Sequence, residues 1–495
     1  MATMTFQLPA GLSPELGREL ERSSLAGGPD SMPCTTAFRF RDDQLKLMSP
    51  AEDSAYLVAP WTVDELGTVM GTSATLMERT APYRLLVEIA RGKVNQVRNQ
   101  AANWAAGGLH IPDALRDAIH QATFTFGHAV CAGDHRETDA LARQALAAAY
   151  QVADGLVKTY VDQVFALRHQ QSPRFDTALS VPLHPGLPTG DVRGQITRTF
   201  TRVSLPLSWH LVEGAETVYR WDAFDQLLNW AEANELDVTA GPLIDFSSSQ
   251  LPAWLWLWER DLPSMATFMC RFVEAAVRRY RSRIRRWQLT AASNWASVLG
   301  LGEDELLGLT FRLGEAARQV DPGVELVLGI SQPWGEYLVR SDRNSPFIFA
   351  DNLIRSGLNL SAINLEVVMG VQGRGSYCRD PLDTVRLLDL YTLLGVPLQV
   401  TLGYPASDAS DPDADPELTP GFGSRTGGFT AATQAAWAAQ FAALALCKPS
   451  VQAIHWTHFS DAVPHLFPHC GLLDRDGQAR PVLQTLRRLR ETHLR

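Results

Sequence analysis

From about residue 174 to the C-terminus the chain repeats one rhythm, a short apolar run followed by an amphipathic helical stretch. The runs fall at 178–181, 202–205, 238–244, 284–290, 325–330, 362–367, 398–401 and 453–456. Helical periodicity fills 221–234, 264–280, 303–320, 381–394 and 430–445 between them. Strands buried on both faces read as continuous apolar runs and are joined by helical crossovers, so the pattern predicts a parallel sheet. Eight such strands over roughly 320 residues fit an α/β fold of the (β/α)8 TIM barrel class. The rival is a doubly wound open sheet. It would carry a Gly-rich phosphate turn after its first strand, and no G-x-G-x-x-G or G-x-x-x-x-G-K stands there.

The preceding residues follow other periods. Residues 1–34 hold a Gly27-Gly28-Pro29-Asp30-Ser31 cluster and few periodic apolar positions, and read as a weakly packed lead-in. Over 35–81 the period is two: Phe38, Phe40, Leu45 and Leu47 alternate with polar residues before Tyr56-Leu57-Val58. This predicts a small β region. Residues 82–172 are helical. Leu85, Val87, Ile89, Val94, Val97 and Trp104 mark a first helix, and Leu115, Ile119, Ala122 and Phe126 a second. A third runs from about 137 to 169. The expected organisation is thus 1–34 lead-in, 35–81 small β region, 82–172 helical region and 173–495 barrel.

Composition narrows the function classes. With 44 basic against 54 acidic residues the net charge is -10, and no basic block offers a footprint for nucleic acid. The six Cys (34, 131, 270, 378, 447 and 470) form no CxxC, which points to a reduced protein without a zinc ribbon. Met1 to Pro9 lacks the basic and apolar parts of a secretory signal, and no run reaches the ~18–20 apolar residues of a membrane span. A cytoplasmic protein with no membrane partner is expected. Thirteen Trp point to a large core, a sugar-stacking groove, or both.

A barrel of this class carries its site at the C-terminal ends of the strands. The residues there include Trp209, Asp245, Gln250, Asn294, Gln332, Trp334, Tyr404, Trp456 and Asp461. Aromatic faces stack on pyranose rings while amides and carboxylates take the hydroxyls, so these nine are the predicted glycan-binding residues, with core packing as the competing reading for each Trp. His455, His458, His465 and His469 lie near the last strand, but without HExxH or a zinc spacing they read as packing or hydrogen-bonding histidines. No metal and no cofactor is expected. No G-x-S-x-G elbow occurs. The acidic stretch 408–417 lacks the Gly and terminal Glu of an EF-hand and contains Pro412 and Pro416, so it reads as a solvated loop.

Several motifs are collinear with one family. Trp209, Glu213 and Tyr219-Arg220-Trp221 lead into Asp225-Gln226-Leu227-Leu228-Asn229-Trp230-Ala231-Glu232-Ala233-Asn234. Gly241-Pro242-Leu243-Ile244-Asp245-Phe246 precedes Ser249-Gln250-Leu251-Pro252-Ala253-Trp254. Then come Arg279-Tyr280-Arg281-Ser282-Arg283-Ile284-Arg285-Arg286-Trp287, Trp456 through Asp461, and Gly471-Leu472-Leu473-Asp474 with Arg480-Pro481. On these residues the chain from about 175 to 495 resembles glycoside hydrolase family 10, the retaining endo-β-1,4-xylanases. The resemblance implies a TIM barrel and a β-linked, xylan-type carbohydrate partner. It also exposes departures. Trp295 follows Asn294 where the family has its acid/base Glu, and Leu402 stands where it has its nucleophile. Ser247 or Ser248 replaces a His after the third strand. Retaining hydrolysis needs two carboxyls about 5–5.5 Å apart, and neither Leu nor Trp supplies one. The remaining acids at strand ends are Glu366 and Glu336, with Asp245 further round. The expectation is a divergent carbohydrate-active barrel hydrolysing or binding β-linked glycans, with Glu366 and Glu336 as the displaced catalytic pair. The alternative is a catalytically inactive barrel that binds a glycan or a protein.

Overall fold

The computed structural model describes residues 2–28, 30–41, 43–50, 54–184, 187–188 and 190–495. Eight strands form the barrel: β1 (Ala178–Pro182), β2 (Arg202–Leu205), β3 (Asp237–Ala240), β4 (Arg286–Ala291), β5 (Glu325–Ile330), β6 (Ala362–Val368), β7 (Leu398–Gly403) and β8 (Val451–Trp456). Each pairs in parallel with the next, and β8 pairs in parallel with β1, so the sheet closes on itself. This is the (β/α)8 barrel that the alternation of runs and helices predicts.

Two details differ from the sequence reading. The run 238–244 is not one strand. It stops at Ala240, and Ile244–Asp245 resumes as a short strand on the end of β4. Gly241, with φ +110, and Pro242, which has no N–H to donate, interrupt the ladder between them. Helices at Pro346–Arg355 and Pro481–His493 escaped the periodicity, though each opens with Pro in its first turn, the position a helix start favours.

Strand positions alternate between two environments. Leu179, Val203, Leu205, Leu326, Leu328, Leu365, Val400 and Ile454 are buried in the apolar core. Polar residues at several of the intervening positions bond from strand to strand. Ser180 Oγ lies 3.3 Å from Ser204 Oγ, Ser204 Oγ 3.3 Å from His455 Nδ1, and His455 Nε2 3.0 Å from Gln399 Oε1. Asn364 and Thr401 exchange bonds of 3.0 and 3.1 Å.

The first 34 residues are packed, not loose. Ala2–Gln7 is a strand between Gln44–Ser49 and Tyr83–Arg84, and Met4, Phe6, Leu20 and Leu25 are fully buried. Of the Gly/Pro cluster, Pro29 lies outside the described residues. A second sheet orders Gly67–Thr72, Ser54–Val63, Ser24–Gly27 and Met32–Pro33, and its outer strand pairs with Ser424–Arg425 from the loop after β7. Tyr377 donates to Glu19 at 2.7 Å and Arg22 to Gln372 at 3.0 Å, so this β region sits against the barrel's C-terminal loops. Three helices follow, Leu85–Ala106, Asp113–Cys131 and His135–Gln171. Lys93 on the first makes a buried 2.6 Å ion pair with Asp380, the residue just before the barrel helix Pro381–Thr392. No helix among the described residues is long and apolar enough to cross a membrane.

His455 generates a pH dependence. Burial first, and then Arg202 and Arg286, push its pKa from the ordinary 6.5 down to about 3. The unfolded chain therefore takes up this proton before the folded one does, and stability falls as pH drops from about 6.5 toward 3. One such group contributes at most about 1.4 kcal/mol per pH unit. Urea unfolding of His455→Gln between pH 7 and 4.5 should show a shallower loss of stability than the wild type; equal slopes would show that another group controls it.

Candidate functional site

The barrel mouth is organised around one guanidinium. Glu366 lies in β6 with Thr401 beside it in register on β7. Beyond β6 the chain turns back, as Gly370–Gln372 pairs antiparallel with Thr419–Phe422. Gly373 has φ +104 with the Leu418 side chain against it, a place for no Cβ, and this turn returns Arg374 toward β6.

Arg374 Nε donates to Glu366 Oε1 at 2.9 Å and Nη2 to Oε2 at 3.1 Å, a two-pronged clamp. Its Nη1 donates to Ser247 Oγ at 2.8 Å and faces Asp245 Oδ2 at 3.4 Å. Ser247 Oγ donates in turn to Asp245 Oδ1 at 2.7 Å. Ser331, directly after β5, donates to Glu366 Oε2 at 2.6 Å. Ser331 is itself held by Asn294, whose amide takes its N–H at 3.1 Å and donates to its carbonyl at 2.9 Å. Gln332 donates to Gly373 O at 2.9 Å. Ala292 and Gln332, at the ends of β4 and β5, hold φ of +60 and +46 without being Gly, a strained backbone typical of functional or tightly determined sites. The side chains of Arg374, Glu366 and Asp245 are 7%, 11% and 15% exposed. Burial works against the Arg374 charge, but Glu366 and Asp245 outweigh it and hold the guanidinium well above its usual pKa.

The structure thus brings together Glu366, Asp245, Asn294 and Gln332 from the predicted set. Glu336 stands elsewhere. It starts the short 3-10 helix Glu336–Arg340 and accepts from Arg379 at 3.2 Å. Arg379 also lies 5.0 Å over the Trp334 ring, and both line a cleft of about 750 Å³ between the helices Leu85–Ala106 and Pro381–Thr392. Glu366 and Glu336 therefore have different arginines and share no hydrogen-bond partner among the described residues.

The predicted stacking rings are spent on protein. Trp209 donates to Glu213 at 2.7 Å, stacks on Phe272 and meets Trp254 edge-on. Tyr404 stacks on Trp437, which meets Trp456 edge-on, and Trp456 donates to Cys470 O at 2.7 Å. With exposures of 2%, 0% and 1%, Trp209, Tyr404 and Trp456 have no free face for a sugar. Trp295 packs partly buried on the core and Leu402 is buried. Asp461 is held by His458 and Arg480. Gln250 is partly exposed, and its side-chain amide is without a partner among the described residues.

Two features were missed in the sequence. Arg374 was signalled only indirectly, by a Glu inside an apolar strand that needs a base. The exposed aromatics Trp256 (39%) and Trp258 (36%) lie in the loop after β3, flanking Leu257 at 85%. Three Trp within Ala253–Trp258 are more apolar surface than one short helix buries, and that excess was their signal.

Removing Arg374 leaves two carboxylates buried without their cation. Arg374→Met should cost about 3–5 kcal/mol in urea unfolding. Arg374→Met with Glu366→Leu and Asp245→Asn should recover much of that loss, because the uncompensated charge is gone. A triple variant no more stable than the single one would contradict this account.

The family model described as Glycosyl hydrolase family 10 matches residues 204–328, from β2 to β5. Among solved structures, xylanase 10B from Thermotoga petrophila in complex with xylobiose is 15% identical with a TM-score of 0.49, covering 68% of this chain and 97% of that one. Native xylanase 10B from Thermotoga maritima is 16% identical with a TM-score of 0.48, covering 64% and 95%. The intracellular xylanase from Thermoanaerobacterium saccharolyticum is 16% identical with a TM-score of 0.47, covering 66% and 97%. No curated protein matches the chain by sequence. The barrel resembles glycosyl hydrolase family 10, as its motifs imply.

Proposed function

We propose that the barrel is a carbohydrate-binding module on a glycoside hydrolase scaffold, taking a β-linked, xylan-type glycan at its C-terminal mouth without cleaving it. The carrying observation is the state of Glu366. Both its oxygens accept from Arg374, and one also accepts from Ser331. A general acid needs a proton to give and a nucleophile needs a lone pair aimed at the anomeric carbon. Fixed donors hold Glu366 as an acceptor, an arrangement that favours an ion-pair role over either catalytic one. The hydrolytic reading requires Glu366 and Glu336 to converge on one glycosidic bond, yet each is bound to its own arginine.

For binding, the available surface is the loop after β3. Trp256 and Trp258 are 39% and 36% exposed, and Gln250 on the same loop has no side-chain hydrogen bond among the described residues. On this reading 173–495 is the glycan-facing domain, and the regions 35–81 and 82–172 are supports, the β region lying against its C-terminal loops.

Calorimetric titration with xylohexaose should show binding, with no shorter oligosaccharides released on long incubation. Trp256→Ala and Trp258→Ala should each weaken binding about 2–10-fold, the value of one aromatic stack. Glu366→Gln should bind as the wild type does. Oligosaccharide release that disappears in Glu366→Gln would overturn the proposal and restore the hydrolytic reading.

A further inference from the structure

The cleft between the helices Leu85–Ala106 and Pro381–Thr392 carries polar groups that the protein itself does not use. The two helices are joined where Lys93 Nζ donates to Gln96 Oε1 at 2.5 Å and to Asp380 at 2.6 Å, and where Gln96 donates to Asp383. The cleft, of about 750 Å³, is further lined by Asn95, Asn99, Gln100 and Asn103 on one helix and by Arg386, Leu390 and Leu393 on the other. Asn95, Asn99, Gln100 and Asn103 have no side-chain hydrogen bond among the described residues. The three Asn recur every four residues, so they form one row along the helix, about 6 Å apart. Asn is a poor former of helix interiors, because its side chain competes for backbone groups, and it is favoured at helix ends. Here three stand within one helix, and none of their side chains caps it or bonds back to it.

The other surfaces of the cleft narrow the ligand class. Facing the amides are Leu390 and Leu393, the latter 77% exposed. Trp334 and Arg379 also line it, and the buried Arg379 Nε is without a partner among the described residues. Its charges are mostly matched. Arg379 pairs with Glu336 and Asp389 with Lys448, while Asp383 accepts from Gln96. Of the charged lining residues Arg386 alone has neither a hydrogen bond nor an ion pair among the described residues. A cleft without a strong field of one sign does not suit phosphate or nucleic acid. An amide donates and accepts from neighbouring atoms, which matches adjacent hydroxyls, and leucines suit the C–H face of a ring.

We propose that this cleft is a carbohydrate site separate from the loop after β3, taking a short neutral oligosaccharide. Its hydroxyls would meet Asn95, Asn99, Gln100 and Asn103, and its C–H faces Leu390 and Leu393. The volume lies within the roughly 300–1,000 Å³ of ordinary ligand clefts. One wall comes from the helical region and the other from the barrel, so residues 82–172 share in binding. This proposal does not rest on the loop after β3 binding a glycan.

The test titrates the full chain with xylohexaose, cellohexaose and maltohexaose by calorimetry. At least one should bind, and Asn99→Ala combined with Asn103→Ala should weaken it about 10-fold, the value of two lost hydrogen bonds. Trp256→Ala combined with Trp258→Ala should leave this step unchanged. Ala is the better helix former, so the Asn pair should hold or raise Tm. Binding lost only together with a lower Tm would count against the site. A hexaose that occupies both places should show two equivalents per chain, one lost to each pair of substitutions. A single equivalent lost only to the Asn pair would support the cleft and remove the loop after β3. A single equivalent lost only to the Trp pair, or no binding of any of the three, would overturn the cleft and leave a row of amides that water alone covers.

Discussion

The ion pair between Glu366 and Arg374 is the constraint on which the barrel mouth depends. A carboxylate inside a parallel strand is withdrawn from water on both faces, and an unpaired charge there costs several kcal/mol. The compensating cation comes from a loop, because Glu366's own strand offers Asn364 and the neighbouring β7 offers Thr401 instead. Delivering Arg374 requires the tight turn at Gly373 and the short ribbon between Gly370–Gln372 and Thr419–Phe422. Two residues further on, that ribbon continues as Ser424–Arg425, the outer strand of the N-terminal sheet. The charge balance in the mouth is thereby tied to the packing of a region more than 300 residues away in sequence.

The same logic organises other contacts. Lys93 and Asp380 join the helical region to the barrel as a buried pair, where either partner alone would be an uncompensated charge. Inside the barrel, Ser180, Ser204, His455 and Gln399 satisfy one another's hydrogen bonds in a place where unpaired polar groups would be costly. Asp461 joins Arg480 and His458. Much of the polar inventory at the strand ends is thus committed to holding loops in place, and the chemistry open to outside molecules is correspondingly small.

This bears on the proposed reading of the barrel as a binding module. Where the resemblance puts an acid and a nucleophile, the chain has Trp295 and Leu402. Where carboxylates do occur at strand ends, they are neutralised by arginines. The proposed binding mode needs exposed faces, and Trp256 and Trp258 carry them on the loop whose Ser247 accepts from Arg374, so the clamp also anchors the start of that loop. On the proposed reading the scaffold keeps its mouth without the reaction, because the two depend on different residues.

The barrel itself was legible in the sequence, since strands buried on both faces and helices buried on one leave local periodicities that each segment carries on its own. The alternation of runs and helices between 174 and 495 therefore determined the fold class, and the helices of 82–172 were legible for the same reason. The site was legible only in part. Glu366 announced itself as a charge in an apolar strand, but its partner could not be read, because Arg374 reaches it through a turn whose direction depends on packing against Leu418. Trp209, Tyr404 and Trp456 looked like sugar platforms because a sequence shows which rings are present and not which faces are covered. Asp411, in the stretch read as a solvated loop, is drawn inside to His465, and the two meet only when the loops after β7 and β8 are folded side by side. Local period is a property of a segment, whereas burial and charge pairing belong to distant residues meeting, and only the tertiary structure decided those.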